Sequence, residues 1–436
     1  MRKTSLISLV VVAAASAALA QNRAPPAQPP WVPPPAGQPV ENKPPEASGQ
    51  QPAFLGQTRA PYEPTHVDLD VKTITDGLSH PWGLAFLPDG RALVTEKVGR
   101  MRLVSMDGKV SPPIGGLPGI DERQGGGLFD VEVDPDFKTN HLIYFDYAEP
   151  RGNGDGLTVA RARLVIRPGP DPRLETFEKG APLVGDRGER VTVENLKVIF
   201  RVMPTEDSYR SFGSRIAFGR GRTLFITNGD LDFDPYRPLV QDLRTDIGKV
   251  IRINRDGTIP KDNPYRRVKG ARPEIWAVGF RNPLGGAVDS HGDLWTTENG
   301  PRGGDELNHV RPGKNYGWPV ITYGEEYSGK PVGAGITQKA GMEQPVYYWD
   351  PVIAPSGLMF YTGGLFPAWK GSAFVGSLRQ QHLVRLSLNG DRVTGEERLL
   401  TDLHERIRAA IQGPDGAIYV ITDADRGKLI KLTPKG

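Results

Sequence analysis

Six times along this chain an apolar triplet is followed by a polar turn and a second β-rich run, and this recurrence limits the fold more than any other feature. The units read GLAFLPDGRALVTE, GLFDVEVDPDFKTNHLIYFDY, RIAFGRGRTLFITNGD, GGAVDSHGDLWTTENG, GLMFYTGGLFPAWKGSAFVG and AAIQGPDGAIYVITD. Their triplets begin near 84, 128, 216, 286, 358 and 409. The spacing, roughly 45 to 90 residues, suits propeller blades with loops inserted in the wider gaps. Turn signals punctuate the runs: Asp89-Gly90, Asp107-Gly108, Asp256-Gly257, Asn389-Gly390 and Asp415-Gly416. No long amphipathic helix interrupts them. Separate small sheets would leave unprotected edges, whereas radial closure hides them. The expected fold is all-β, a six-bladed β-propeller of four-stranded blades over 66–436, ahead of a pair of large β-sandwiches.

The N-terminus reads differently. Arg2 and Lys3 precede a largely apolar run from Leu6 to Leu19 that ends Ala18-Leu19-Ala20. A charged start, a short apolar stretch and an A-x-A site describe a signal peptide over residues 1–20, too short to serve comfortably as a membrane span. Residues 21–65 are rich in Pro, Gln, Gly and Ala, and that composition predicts a disordered linker. The expected location is periplasmic or secreted, with no transmembrane segment after cleavage. The chain has no cysteine, which excludes disulfides, thiolate ligands and a lipidated cysteine together. A net charge of +3 from near-equal acids and bases gives no basic surface for nucleic acid.

In a propeller, the segment entering each innermost strand lies at one mouth of the central channel. Just before each triplet stand His80, Gln124, Ser211, Arg281 with Asn282, Pro355 with Ser356, and Arg406 with Arg408. Convergent polar groups at a channel mouth make this the expected ligand site. Pairing with a neighbouring carboxylate explains any one of these arginines, but less readily several in register.

GFRNPLG (279–285), ENGPRGGDELNHVRPGKNYGWP (298–319) and ERIRAAIQGPDG (405–416) closely resemble the soluble sugar dehydrogenases that use pyrroloquinoline quinone (PQQ). HPWGLAFLPDG, DVEVDPDF and GSRIAF resemble the same family, in order, across nearly all of 70–434. The 298–319 block is highly specific, whereas the PDG turns are common to many propellers. The resemblance implies an aldose substrate oxidised at C1 and an external electron acceptor, a cytochrome or quinone. It assigns Arg406, Arg408 and Arg379 to the cofactor's carboxylates, a task suited to planar cations. Asn282 and Gln124 would bond its ring edge, with Gln124 displaced by one residue from the family pattern, and Arg281 would stand beside the substrate hydroxyl. The carbonyls of Gly300 and Pro301 would hold a calcium ion (Ca²⁺) that the cofactor also ligates. Glu306 and the Tyr316 carbonyl would form a second, structural calcium site, oxygen ligands being those a hard cation prefers.

One position departs from the pattern. The family's general base is a histidine 19 residues before the Asp of a Gly-Asp pair; counting back from Asp230 gives Ser211. A serine takes no proton at neutral pH without a base of its own. Val352 likewise stands where the family tends to have a hydroxyl residue. Of the seven histidines only His80 falls in register at the mouth, and it reads as a core or turn residue. Three readings remain: a weakened dehydrogenase, one with a substitute base such as Asp230 acting through water, and a non-catalytic PQQ- or sugar-binding propeller. A calcium-dependent lactonase is disfavoured, since nothing in it calls for the Arg406/Arg408 pair.

Overall fold

The computed structural model describes residues 31–152, 154–169, 189–206, 210–232 and 234–436. The expected signal peptide, residues 1–20, lies outside them. Strand β1 (Leu69–Leu78) pairs not with its sequence neighbour but with the last strand, β23 (Gly427–Pro434), from Leu69↔Pro434 to Leu78↔Gly427. This pairing joins the two ends of the propeller, so that β1, β23, β22 (Ile418–Thr422) and β21 (Ile407–Gln412) make one sheet.

The other five sheets follow chain order. Blade 1 holds β2 (Pro81–Phe86), β3 (Ala92–Glu96) and β4 (Arg100–Val104). Blade 2 holds β5 (Leu128–Val133), β6 (Leu142–Arg151), β7 (Gly154–Pro168) and β8 (Glu189–Arg201). Blade 3 holds β9 (Gly213–Gly219), β10 (Thr223–Asn228), β11 (Lys249–Asn254) and β12 (Ile275–Val278). Blade 4 holds β13 (Pro283–Val288), β14 (Leu294–Glu298), β15 (Asp305–Val310) and β16 (Tyr347–Trp349). Blade 5 holds β17 (Pro355–Phe360), β18 (Ala373–Ser377), β19 (Leu383–Leu388) and β20 (Val393–Leu399).

Blade 1 departs from the expected four strands. Its fourth place is taken by an irregular run in which Val110 bridges Val104 and Ser111 N–H donates to the Leu103 carbonyl at 2.8 Å. Pro112 and Pro113 follow at once; lacking N–H groups, they cannot extend a ladder.

The innermost strands pack β2 on β5, β5 on β9, β9 on β13, β13 on β17, β17 on β21, and β21 back on β2. One apolar cluster fills each of the six blade interfaces, for example Phe129, Tyr144, Phe212 and Ile226 between blades 2 and 3. Because each sheet is covered on both faces, strands such as IYVIT in β22 are buried throughout rather than alternating. The glycines of all five turn dipeptides have positive φ, as tight hairpin turns require.

Entry to the mouth is also regular. His80, Gln124, Ser211, Ala354 and His404 each adopt a left-handed conformation, with φ from 45° to 52°, shortly before β2, β5, β9, β17 and β21. Gly279, at φ 93°, does the same ahead of β13. The chain turns into the channel with a left-handed residue in every blade.

The composition of 21–65 misleads from Pro33 onward. Instead of a disordered linker, residues 33–65 form a strap packed along blades 4 and 5. Val40, Ala47 and Ala60 are buried, and Glu41 pairs with Arg398 at 3.1 Å out of solvent. Gln57, fully buried, donates to the Pro345 carbonyl at 2.9 Å and accepts from the Tyr323 hydroxyl at 3.0 Å. A few apolar residues and well-placed polar partners anchor a segment that has no periodicity of its own.

Candidate active site at the channel mouth

Arg406, just before β21, and Arg408, within it, both reach one carboxylate. Arg408 Nη2 lies 2.7 Å and Arg406 Nη2 3.0 Å from Asp423 Oδ2, just past the end of β22. The other oxygen, Oδ1, is 2.9 Å from His80 Nδ1, while His80 Nε2 meets Asp425 at 2.8 Å. Burial pushes the Asp423 carboxyl up, but Arg408, His80 and Arg406 outweigh it and hold the group well below the usual range. The hydrogen bond to Asp423 raises the His80 pKa against the opposing effect of burial, and with a carboxylate on each ring nitrogen this imidazole is placed as an ion-pair partner.

Trp82 floors the cradle, with the Arg215 guanidinium 4.2 Å and that of Arg408 5.6 Å from its ring centre. Lys97 donates to the Gln124 carbonyl at 2.8 Å, and burial, then the Arg408 charge, lowers its pKa. Arg408 is buried, yet its Nε–H finds no acceptor. Arg406 keeps 42% of its side chain exposed. Cations so gathered, with a buried donor unsatisfied, suit a ligand rich in carboxylates.

Across the mouth, the Arg281 Nη1 donates to the carbonyls of Asn299 and Gly300, both at 3.0 Å. Its Nη2 meets Asp232 at 3.3 Å, its Nε has no acceptor, and the guanidinium lies 5.5 Å from the Trp318 ring centre. Trp318 donates to Asp230 Oδ2 at 2.8 Å, and the Asp232 N–H to Asp230 Oδ1 at 2.9 Å. Asp230 is wholly buried; burial pushes its pKa up to about 6 in spite of Arg281. Tyr327, 71% exposed on the loop between β15 and β16, reaches Arg281 with its hydroxyl.

Ser211 sits beside this group by backbone contact. A Cβ on Gly229 would stand 1.9 Å from the Ser211 carbonyl oxygen, so only glycine permits the approach. No hydrogen bond joins the Ser211 hydroxyl to Asp230. Asn282 clamps two blades, accepting from the Gly213 N–H at 3.1 Å and donating weakly to Asn299 at 3.5 Å. The Gln124 side chain is exposed.

The 298–305 loop is oxygen-rich. A Cβ on Gly300 would lie 2.3 and 2.5 Å from the carbonyl oxygens of Gly303 and Gly304. Asp305 ties the loop to blade 5, accepting from Gly300 N–H at 2.8 Å and from the Ile353 and Ala354 N–H groups at 2.7 Å. Burial pushes Asp305 and Glu306 up to about 7 and Glu298 well above its usual range. Glu298 Oε2 has no partner. Three buried carboxylates against the single cation of Arg281 are costly unless another cation joins them, and carbonyl-rich surroundings fit a hard one. Among the described residues, no three acidic or histidine side chains converge as a metal site.

One expected grouping does not form as read. Arg379 is not free for a ligand: Glu46 of the strap meets its Nη2 at 2.6 Å. Tyr316 stacks on Phe280, and its hydroxyl donates to the His309 carbonyl at 2.5 Å.

A profile of the Glucose / Sorbosone dehydrogenase family matches residues 78–431. The chain belongs to that family. Aldose sugar dehydrogenase YliI of Escherichia coli (strain K12) is 39% identical over 371 residues, 84% of this chain and 93% of that protein. The crystal structure of the soluble aldose sugar dehydrogenase from Escherichia coli in the apo-form superposes with a TM-score of 0.76 at 38% identity, covering 84% of this chain and 100% of that one. Quinoprotein glucose dehydrogenase B of Acinetobacter calcoaceticus is 26% identical over 82% of this chain and 86% of that protein.

In this member of the glucose/sorbosone dehydrogenase family, several mouth residues escape a reading of motifs: Asp423, Trp82, Lys97, Trp318, Asp305 and Glu46. One signal does point to the acids. In four of the units the second strand runs into a carboxylate, Glu96, Asp230, Glu298 or Asp423. Three of these face the mouth cations of Arg281 and Arg408 in the structure. The strap carries no comparable signal, because its partners lie some 300 residues away.

Proposed function

We propose that this glucose/sorbosone dehydrogenase family member binds PQQ and calcium at the channel mouth and oxidises aldoses at C1 to lactones. Electrons pass on to an external acceptor. The observation that carries the reading is the Arg408 guanidinium beside Trp82, its buried Nε–H still lacking an acceptor, with Arg406 sharing its Asp423 partner and the Lys97 charge close by. The name of the quinoprotein relative supports the same cofactor. PQQ, when bound, supplies a two-electron acceptor for the hydride that leaves C1, its carbonyl polarised by the calcium ion.

The chain's own residues divide the work. Arg406 and Arg408 hold carboxylates, with Arg379 at their edge; Asn282 and Gln124 face the ring. The carbonyls of Gly300 and Pro301 take one calcium ion, and Glu306 with the Tyr316 carbonyl takes the structural one. Arg281, fixed by Asp232 and Trp318, orients the sugar hydroxyl. The hydroxyl proton has no imidazole to receive it, because Ser211 occupies that place. Asp230 is ionised at neutral pH and is the group available, but Trp318 covers it and it is out of solvent. Turnover is therefore slow by roughly the 10²–10⁴ that a positioned base contributes.

Ser211 favours a second reading, a non-catalytic PQQ- or sugar-binding propeller. In both, the leader of residues 1–20 sends the protein to the periplasm or beyond the cell, and among the described residues no helix is long and apolar enough to cross a membrane. Protein reconstituted with PQQ and Ca²⁺ separates the two when cofactor absorbance is followed with and without aldose. Aldose-dependent reduction identifies the enzyme, bound but unreduced cofactor identifies a PQQ-binding protein, and no cofactor binding refutes the enzyme and leaves only the sugar-binding form, which aldose calorimetry then decides.

A further inference from the structure

The strap passes the mouth at Glu46. Glu46 is fixed there by its backbone, its N–H donating to Asp350 Oδ1 at 2.6 Å, while Ala47 N–H reaches Oδ2 of the same residue at 3.1 Å. Its carboxylate faces Arg379, with Oε1 2.6 Å from Nη2 and Oε2 3.4 Å from Nη1, and Oε2 also accepts from the Val352 N–H at 3.1 Å. Further anchors lie on either side: Glu41 on Arg398, and Arg59 donating to the Asp350 carbonyl at 2.9 Å. The carboxylate is thus held in place rather than waving at the surface.

Its surroundings matter more than its strength. Arg379 N–H bonds the Ile353 carbonyl at 3.0 Å, and Ile353 N–H bonds Asp305, which holds Gly300. On the other side, Arg406 Nη1 donates to the Leu378 carbonyl at 3.0 Å. The Glu46–Arg379 pair therefore stands between the anion-holding arginines and the oxygen-rich loop. An anionic ligand entering between those elements meets a cation that is already neutralised and a carboxylate that repels it.

Resting on the PQQ reading above, we propose that Glu46 competes with the cofactor's carboxylates for Arg379, so that the N-terminal strap sets how tightly this chain holds PQQ. Arg379 is 52% exposed, so the pair is screened and the effect moderate. The test uses the full chain with Ca²⁺, titrating PQQ into wild type, Glu46→Gln, Arg379→Gln and the double variant by calorimetry. Glu46→Gln tightens binding roughly three- to tenfold, the scale of one partly exposed charge contact. In the Arg379→Gln background the same substitution changes affinity much less. Thermal melts and the tryptic pattern of 33–65 show whether the strap stays docked; Glu46→Gln keeps the Glu41 and Arg59 anchors. Affinity equal to or below wild type in a docked Glu46→Gln chain overturns the competition alone. No PQQ binding by any of the four proteins overturns the cofactor reading and this inference with it.

Discussion

Ser211→His is the perturbation that tests the proposed chemistry most directly. Backbone strain does not oppose it: Ser211 has φ 50°, a left-handed conformation in which histidine is enriched, and His66, His80, His141 and His404 already adopt it in this chain. Neighbouring Gly229 leads into Asp230, whose pKa of about 6 leaves it ionised at pH 7.5 and able to orient an imidazole. A positioned base contributes roughly 10²–10⁴ in rate, or about 2.7–5.4 kcal/mol of barrier. Dye-linked aldose oxidation by the PQQ- and Ca²⁺-loaded variant is therefore expected to exceed wild type by two to four decades, with cofactor affinity unchanged. His80 does not compensate in the wild type, since Asp423 and Asp425 engage both of its ring nitrogens. Equal rates for two fully loaded proteins refute the argument. If His80→Ala then abolishes a high wild-type rate, the base is His80, and its assignment as an ion-pair partner is wrong.

Three further outcomes follow from the cradle. Arg406→Ala with Arg408→Ala weakens PQQ binding at least a hundredfold by calorimetry, charge-assisted bonds being worth about 1.5–3 kcal/mol each and the exposed Arg406 supplying the smaller part. Asp423→Asn leaves the buried Arg408 without its counter-charge and lowers stability by about 3–5 kcal/mol in chemical denaturation; no loss contradicts the role given to Asp423. For His80 the folded pKa is raised above its ordinary 6.5, so its contribution is complete below that value and fades as pH rises through the folded one. The melting-point gap between wild type and His80→Ala is accordingly widest at pH 5.5–6 and shrinks in alkali, and a gap that widens with pH reverses the sign.

Much of the architecture is local and therefore legible in one dimension. Turn dipeptides, β-rich runs and their sixfold recurrence depend on neighbours a few residues apart, and radial closure follows because stacked sheets must cover their faces. The same register located Arg281, Arg406 and Arg408 at one mouth, and the count back from Asp230 located Ser211. Other features depend on distant partners that no local pattern encodes. Pairing of β1 with β23, Asp423 as the hub of Arg406, Arg408 and His80, and Trp318 over Asp230 are set by packing across the ring. The strap shows the limit most clearly. From Pro33 its composition reads as disorder, because composition counts only what a segment buries against itself; Glu41 and Glu46 are held by Arg398 and Arg379, and only the closed propeller brings those arginines alongside.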